Sequence, residues 1–100
     1  MSQYRLIINP FAENDINISK NWYDLQKENL GSDFILEVDN TLQNIVENPR
    51  QFPRVKGKIR RAVLSRFPFG IYYFIKNDII NVFAVFHFSR NPSIWKQRMK

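Results

Sequence analysis

The sequence predicts an α+β fold, β-α-α-β-β-β in order, in which an antiparallel sheet is covered on one face by an N-terminal helical hairpin and followed by a short C-terminal helical segment. Three observations carry that expectation. The second half is strand-like and holds most of the aromatics. Two stretches before it repeat apolar residues every three to four positions, and only about two residues separate them. One hundred residues suffice for one core, so a single domain over 1–100 is expected.

Residues 4–9 form the first strand, Tyr-Arg-Leu-Ile-Ile-Asn being β-branched and aromatic in type. Asn9-Pro10 stops it and opens a helix, because Asn caps well and Pro suits the first helical position. Ala12, Ile16, Ser19, Tyr23 and Leu30, with Ile18, Trp22 and Leu25 alongside, give this helix a broad apolar face; Asp15, Lys20, Asp24 and Lys27 fall outside it. Gly31 is expected as its C-cap and Ser32 as the start of the second helix. There Phe34, Ile35, Val38, Leu42, Ile45 and Val46 recur until Asn48-Pro49 ends the run. Helices joined so tightly must fold back on each other.

Residues 49–58 read as an exposed loop with two prolines, one glycine and four basic residues, Arg50, Arg54, Lys56 and Lys58. The remaining strands are 59–67, 70–76 and 79–88. Pro68 cannot donate to a ladder and marks an edge, bulge or turn, and Asn77-Asp78 makes a tight turn. Strict alternation puts Arg60 and Arg61 on opposite faces, and one of Tyr72 and Tyr73 in the core with the other outside. In 79–88 it groups Ile80, Val82, Ala84 and Phe86 on one face, and Ile79, Phe83, Val85 and His87 on the other. A strand apolar on both sides is a central one. Pro92 ends the strand region, and 93–98 is expected to form a last helical turn or two, with Trp95 able to fold back onto the sheet.

Composition excludes several kinds of chemistry. There is no cysteine and one histidine, so a disulfide framework, a thiolate site and a histidine metal cluster are all out, and neither metal nor small-molecule cofactor is expected. The three glycines stand alone at 31, 57 and 70, which rules out a glycine-rich phosphate loop. Asp78 is the one carboxylate in the half that holds His87, too little for a Ser-His-Asp triad. Apolar runs are strand-sized against the ~18 residues of a membrane span, and no charged-then-apolar leader is present. The expectation is a cytoplasmic protein with no membrane partner.

Charge is unevenly distributed. Residues 1–49 carry −5 and residues 50–100 carry +11, with seven basic residues and no acid from Arg50 to Arg66. That run is either a solvated surface or a face for a polyanion or acidic protein. The candidates for partner or target binding are Arg54, Lys56, Lys58, Arg60, Arg61, Arg66, Arg90, Trp95 and Arg98. Catalysis, if present, would use cations, His and Tyr without metal. Such groups can cleave RNA by 2′-hydroxyl attack, and Arg61, Arg66, His87 and Arg90 are the residues placed to serve. Each has a structural alternative: His87 as a hydrogen-bonded imidazole, Trp95 as a packing anchor, Arg90 as a donor to the last carbonyls of its own sheet.

The β-α-α-β-β-β order, Trp22-Tyr23, Glu47-Asn48-Pro49, the run Phe67-Pro68-Phe69-Gly70-Ile71-Tyr72-Tyr73, and His87-x-x-Arg90-x-Pro92-x-x-Trp95 together resemble the RelE/ParE superfamily of bacterial type II toxins over nearly the whole chain. The resemblance implies a small cytoplasmic toxin of a toxin–antitoxin (plasmid stabilisation) module, neutralised by a cognate antitoxin that wraps around it. Physically, such a partner's tail should join apolar anchors to acidic residues. RelE-like members are ribosome-dependent mRNA endonucleases, whose pattern places cations where this chain has Val63 and Gly70; only Arg61 and Arg90 fit it. The Phe-Pro-aromatic run and the His87–Trp95 pattern are closer to the ParE-like branch, whose characterised members poison DNA gyrase. The resemblance therefore implies a gyrase binder, with a ribosome-dependent mRNA endonuclease as the alternative. A third reading is a plain nucleic-acid or protein-binding module on the same scaffold.

Overall fold

The computed structural model describes residues 4–89 and 97–98, so Arg90 and Trp95 lie outside the described residues. Strand β1 (Arg5–Ile8) leads into helix α1 (Pro10–Gln26), which returns through α2 (Leu30–Glu47). Four strands follow: β2 (Arg54–Lys56), β3 (Ile59–Val63), β4 (Phe69–Lys76) and β5 (Ile79–His87). They form one sheet in the order β1-β5-β4-β3-β2. The α+β class and the helical hairpin on one face are as expected from sequence.

The sheet is mixed rather than wholly antiparallel, because β1 runs parallel to β5. The helical hairpin carries the chain to the far edge, and the meander β2 to β5 walks back until β5 lies beside β1. The expected loop 49–58 also contains a strand. β2 pairs with β3, Arg54 opposite Arg60, and Gly57 at φ +54° makes the turn between them. All three β2 residues are exposed, so no hydrophobic pattern marked it.

Asn9 starts α1 as its residue type predicts. Its side chain accepts a hydrogen bond from the Phe11 N–H at 2.8 Å, while its own N–H donates to Val82 O, tying the helix start to β5. The helix break is not at Gly31. It falls at residues 27–29, where Asn29 takes the left-handed conformation (φ 67°). Gly31 sits inside the first turn of α2, where α1 comes so close that an added Cβ would lie 2.5 Å from Lys20 O. The bare backbone lets the Gly31 N–H reach Asp24 Oδ1 at 2.8 Å. Close approach, not chain reversal, is what requires glycine here.

The register of β5 departs from simple alternation. Tyr72 lies opposite Ala84 and Tyr73 opposite Val82, so Phe83 is the extra residue of a bulge. The bulge regroups the side chains: Ile80, Val82 and Val85 belong to the core under the helices, and Phe83, Ala84 and Phe86 to a cluster on the other face. Tyr72 and Tyr73 are both buried, in opposite clusters, which corrects the expectation that one stays outside. Tyr73 donates its hydroxyl to Pro49 O at 2.6 Å.

The strand expected over 59–67 ends at Val63. Residues 64–68 turn instead, with Leu64 and Phe67 buried, and Pro68 supplies a carbonyl to the Phe88 N–H. In the core, Phe34, Phe67 and Phe69 surround Tyr23 with ring centroids 4.9–6.1 Å away. Each such ring contributes roughly 1.5–3 kcal/mol on burial. Glu37 of α2 reaches over this core and accepts hydrogen bonds from the N–H groups of Ser65 and Arg66, fixing the turn to the helix layer.

Candidate functional site

Helix α1 is apolar on more than its covered side. Ala12 and Ile16 pack onto the sheet, but Phe11, Ile18, Trp22 and Leu25 are exposed, Leu25 to 84%. Spaced by seven, four and three residues, these four share one side of the helix and form an exposed apolar seam. By spacing alone, Ile18, Trp22 and Leu25 belong to one broad apolar face of the helix. Its breadth was the signal that a single sheet could not cover it.

Beside that seam, α1 and β5 enclose an open cleft of about 430 Å³ lined by Ile18, Ser19, Trp22, Tyr23, Phe69 and His87. Burial pushes the Tyr23 hydroxyl's pKa up. His87 pairs with Phe69 across the ladder, on the helix side of the sheet, and meets its ring edge-on at 5.2 Å. Its Nδ1 accepts from the Ser89 N–H at 3.0 Å, which leaves Nε2 for the cleft. The nearby Asp15 carboxylate is already engaged. It binds the Val85 N–H at 3.0 Å and, in a bidentate pair, Arg98 at 2.6 and 3.1 Å. His87 is thus a half-buried imidazole in an apolar setting, with no carboxylate among the described residues to orient it.

The predicted basic residues do different work. Arg54 and Lys56 are exposed on the edge strand β2, and Lys58 is exposed with its Nζ 4.6 Å above the Phe74 ring. Arg60 is a structural peg: its Nη1 donates to the carbonyls of Arg50 (3.1 Å) and Phe52 (2.6 Å), holding the chain before β2. Arg61 points to the opposite face, its stem over Gly70, where an added Cβ would lie 2.8 Å from Arg61 Cγ and Cδ. Its guanidinium stacks 5.4 Å from the Phe88 ring, and its buried Nε has no hydrogen-bond partner among the described residues. Arg66 is exposed in the 64–68 turn, 3.8 Å from Asp33. Arg98, expected to meet a partner, is spent inside the fold on Asp15 and on Phe83 O.

Arg61, Arg66 and His87 therefore stand on the outer face, in a peripheral turn and on the helix side respectively. The described residues bring no acid–base pair onto a phosphate position. They also contain no group of His, Cys, Asp or Glu able to hold a metal, and no helix long and apolar enough to cross a membrane. Asp15 and the exposed seam of α1 are the features that sequence reasoning missed.

The described residues thus combine an exposed apolar row on α1, an open apolar cleft and a charged strand edge on one α+β fold. No family model and no curated protein sequence matches the chain. Among solved structures it is similar to a chain of the "Chromosomal ParDE TA system from P. aeruginosa", with a TM-score of 0.76 at 15% sequence identity, over 84% of this chain and 95% of that one. The fold is RelE/ParE-like, as the sequence resemblance implied.

Proposed function

We propose that this chain is the toxin of a type II toxin–antitoxin pair, held inactive in the cytoplasm by a cognate antitoxin. Freed, it acts by gripping a protein target, DNA gyrase, without chemistry of its own. The observation that carries the reading is a RelE/ParE-like fold whose candidate nuclease groups, Arg61, Arg66 and His87, face three different ways. Proton transfer needs its acid and base within hydrogen-bond reach of one substrate atom. A binder needs only complementary surface. The α1 seam and the basic strand edge offer an antitoxin the apolar anchors and cations that suit an apolar, acidic tail.

A supercoiling assay with purified gyrase tests the target: inhibition that titrates with the protein supports the reading, and unaffected supercoiling removes gyrase. The second reading, a ribosome-dependent mRNA endonuclease, is favoured by Arg61, whose buried Nε has no partner among the described residues at a position the nuclease pattern makes basic. Primer extension on mRNA from induced cells separates the two, because codon-phased cuts belong to the nuclease alone. Growth untouched by induction would remove both and leave the plain binding module.

A further inference from the structure

The outer face of the sheet has its own concavity, where β4 ends and β5 begins. It is a cleft of about 530 Å³ lined by Ile7, Lys58, Phe74, Lys76, Asn81 and Phe83, among others. Local backbone features assemble it from distant parts of the chain. The left-handed Gly57 turns the β2–β3 hairpin so that Lys58 reaches the Phe74 ring, and Phe83, in step with Asn81 along β5, lies on the same face. Asn77 and Asp78, both at positive φ, make the tight turn that sets Lys76 near the start of β5. The Phe74 and Phe83 rings lie 6.0 Å apart, and Ile7 beside them is 45% exposed.

Its charge is one-sided. Among the described residues no carboxylate lines the cleft, and neither Lys58 nor Lys76 has an acidic partner. The Arg98 that also lines it is neutralised by Asp15. Asn81 donates its Nδ2 to Ile79 O, and its amide oxygen has no partner among the described residues. Two ammonium groups without acidic partners among the described residues, a partly buried aromatic ring and an amide acceptor within one cleft select for a particular chemistry. The ligand is flat and cyclic, with N–H donors and an anionic phosphate. An acidic side chain brings a charge but no ring.

We propose that this cleft binds a nucleotide unit, with its phosphate at Lys58 and Lys76 and its base against Phe74. The proposal goes beyond the toxin reading and does not depend on it. The nucleotide comes either free or as one unit of a single strand, and base–aromatic stacking with lysine–phosphate contacts serves both.

Fluorescence anisotropy of the purified full chain with a labelled single-stranded oligodeoxyadenylate tests this. AMP is the free-nucleotide competitor, and labelled polyglutamate is the acidic-peptide probe. Charge reversal of both lysines, K58E with K76E, should weaken oligonucleotide binding about tenfold more than the equally charged K27E with R50E. It should also reduce the salt slope by roughly 0.7, one single-strand phosphate contact. Phe74→Leu, which keeps the site apolar, should cost about fivefold by removing the stacking partner. Amide shift mapping on the unmodified protein should place the perturbations at Phe74, Lys76 and Asn81, whatever the variants do to folding. Competition by AMP assigns the site to a free nucleotide, and its failure beside intact strand binding assigns it to a strand. Equal losses in the two double variants would overturn the proposal as diffuse attraction. So would polyglutamate binding as tightly with Phe74→Leu silent, or shifts elsewhere.

Discussion

Asp15 and Arg98 together bond a stretch of the β5 edge that no strand covers among the described residues. β1 pairs with β5 only as far as Val82. Beyond it Asp15 accepts from the Val85 N–H, while Arg98 donates to Phe83 O and, through two nitrogens, to Asp15 itself. Arg98 also lies 4.6 Å from the Phe86 ring and 5.3 Å from Phe11. A buried carboxylate and a guanidinium thus stand in for a missing strand.

Removing one member leaves the other charged and unpaired in a largely dry site, which costs about 3 kcal/mol. Arg98→Met should lower stability in urea by that order. Asp15→Asn should cost somewhat less, because its amide oxygen can still accept from Val85. A double-mutant cycle should return a coupling of 1 kcal/mol or more. A cycle that sums to zero would mean that the two residues act separately.

This pair marks the boundary of what residues disclose before folding. Asn9-Pro10 as a helix start, Asn77-Asp78 as a turn and β5 as a central strand were legible, because each depends on neighbours within a few positions. The burial of Asp15 was not, since it depends on a partner 83 residues away. Nor was the bulge, because neither Gly nor Pro marks Phe83. That one residue reverses the faces of 84–87 and carries His87 to the helix side. Of the site, the basic edge was legible from charge alone. The distinction between Arg60 and its neighbours was not, since the carbonyls it holds belong to a loop.

Gly31→Ala should destabilise although alanine is the better helix former by about 1 kcal/mol. The new methyl would meet Lys20 O at 2.5 Å and Asp24 at 2.4 Å. Lys20 O is backbone and cannot swing aside, so the helices must separate, at roughly 1–3 kcal/mol net. Thermal unfolding should show the loss, and an unchanged or raised midpoint would contradict the close-approach argument.

Tyr73 sets an alkaline limit. Burial pushes its pKa up to about 12, against the opposing pull of Arg60. In the unfolded chain a tyrosine titrates at roughly 10. The folded state therefore holds its proton longer, and stability present below pH 10 is lost as pH rises from about 10 to 12. Tyr73→Phe should cost about 1–2 kcal/mol at neutral pH, by leaving Pro49 O unpaired, and should flatten this alkaline limb. Urea midpoints measured from pH 8 to 11 test both parts.

The basic edge should act on rates. Reversing Arg54, Lys56 and Lys58 to Glu removes three exposed cations from one edge. Association with an acidic partner tail should slow tenfold or more at low salt, and the salt dependence of kon should weaken. Stopped-flow measurements at two ionic strengths decide it; on-rates indifferent to salt in the unmodified protein would contradict steering altogether.

The α1 seam should act on complex lifetime. Trp22 is 56% exposed, and its described ring contact is an edge-on one with Tyr23 at 5.1 Å. Truncating it should therefore shift folding stability by only about 0.5 kcal/mol. A tryptophan at the centre of an apolar seam is the kind of residue that dominates an interface, worth about 2 kcal/mol or more, or some thirtyfold in affinity. Trp22→Ala should thus leave the urea midpoint nearly unchanged while raising koff for the proposed antitoxin about thirtyfold. The triple charge reversal should do the opposite, changing kon and sparing koff. If Trp22→Ala destabilises the free protein by several kcal/mol, the side chain belongs to the core and not to a seam. Unchanged affinity in a fully folded variant would place the antitoxin elsewhere.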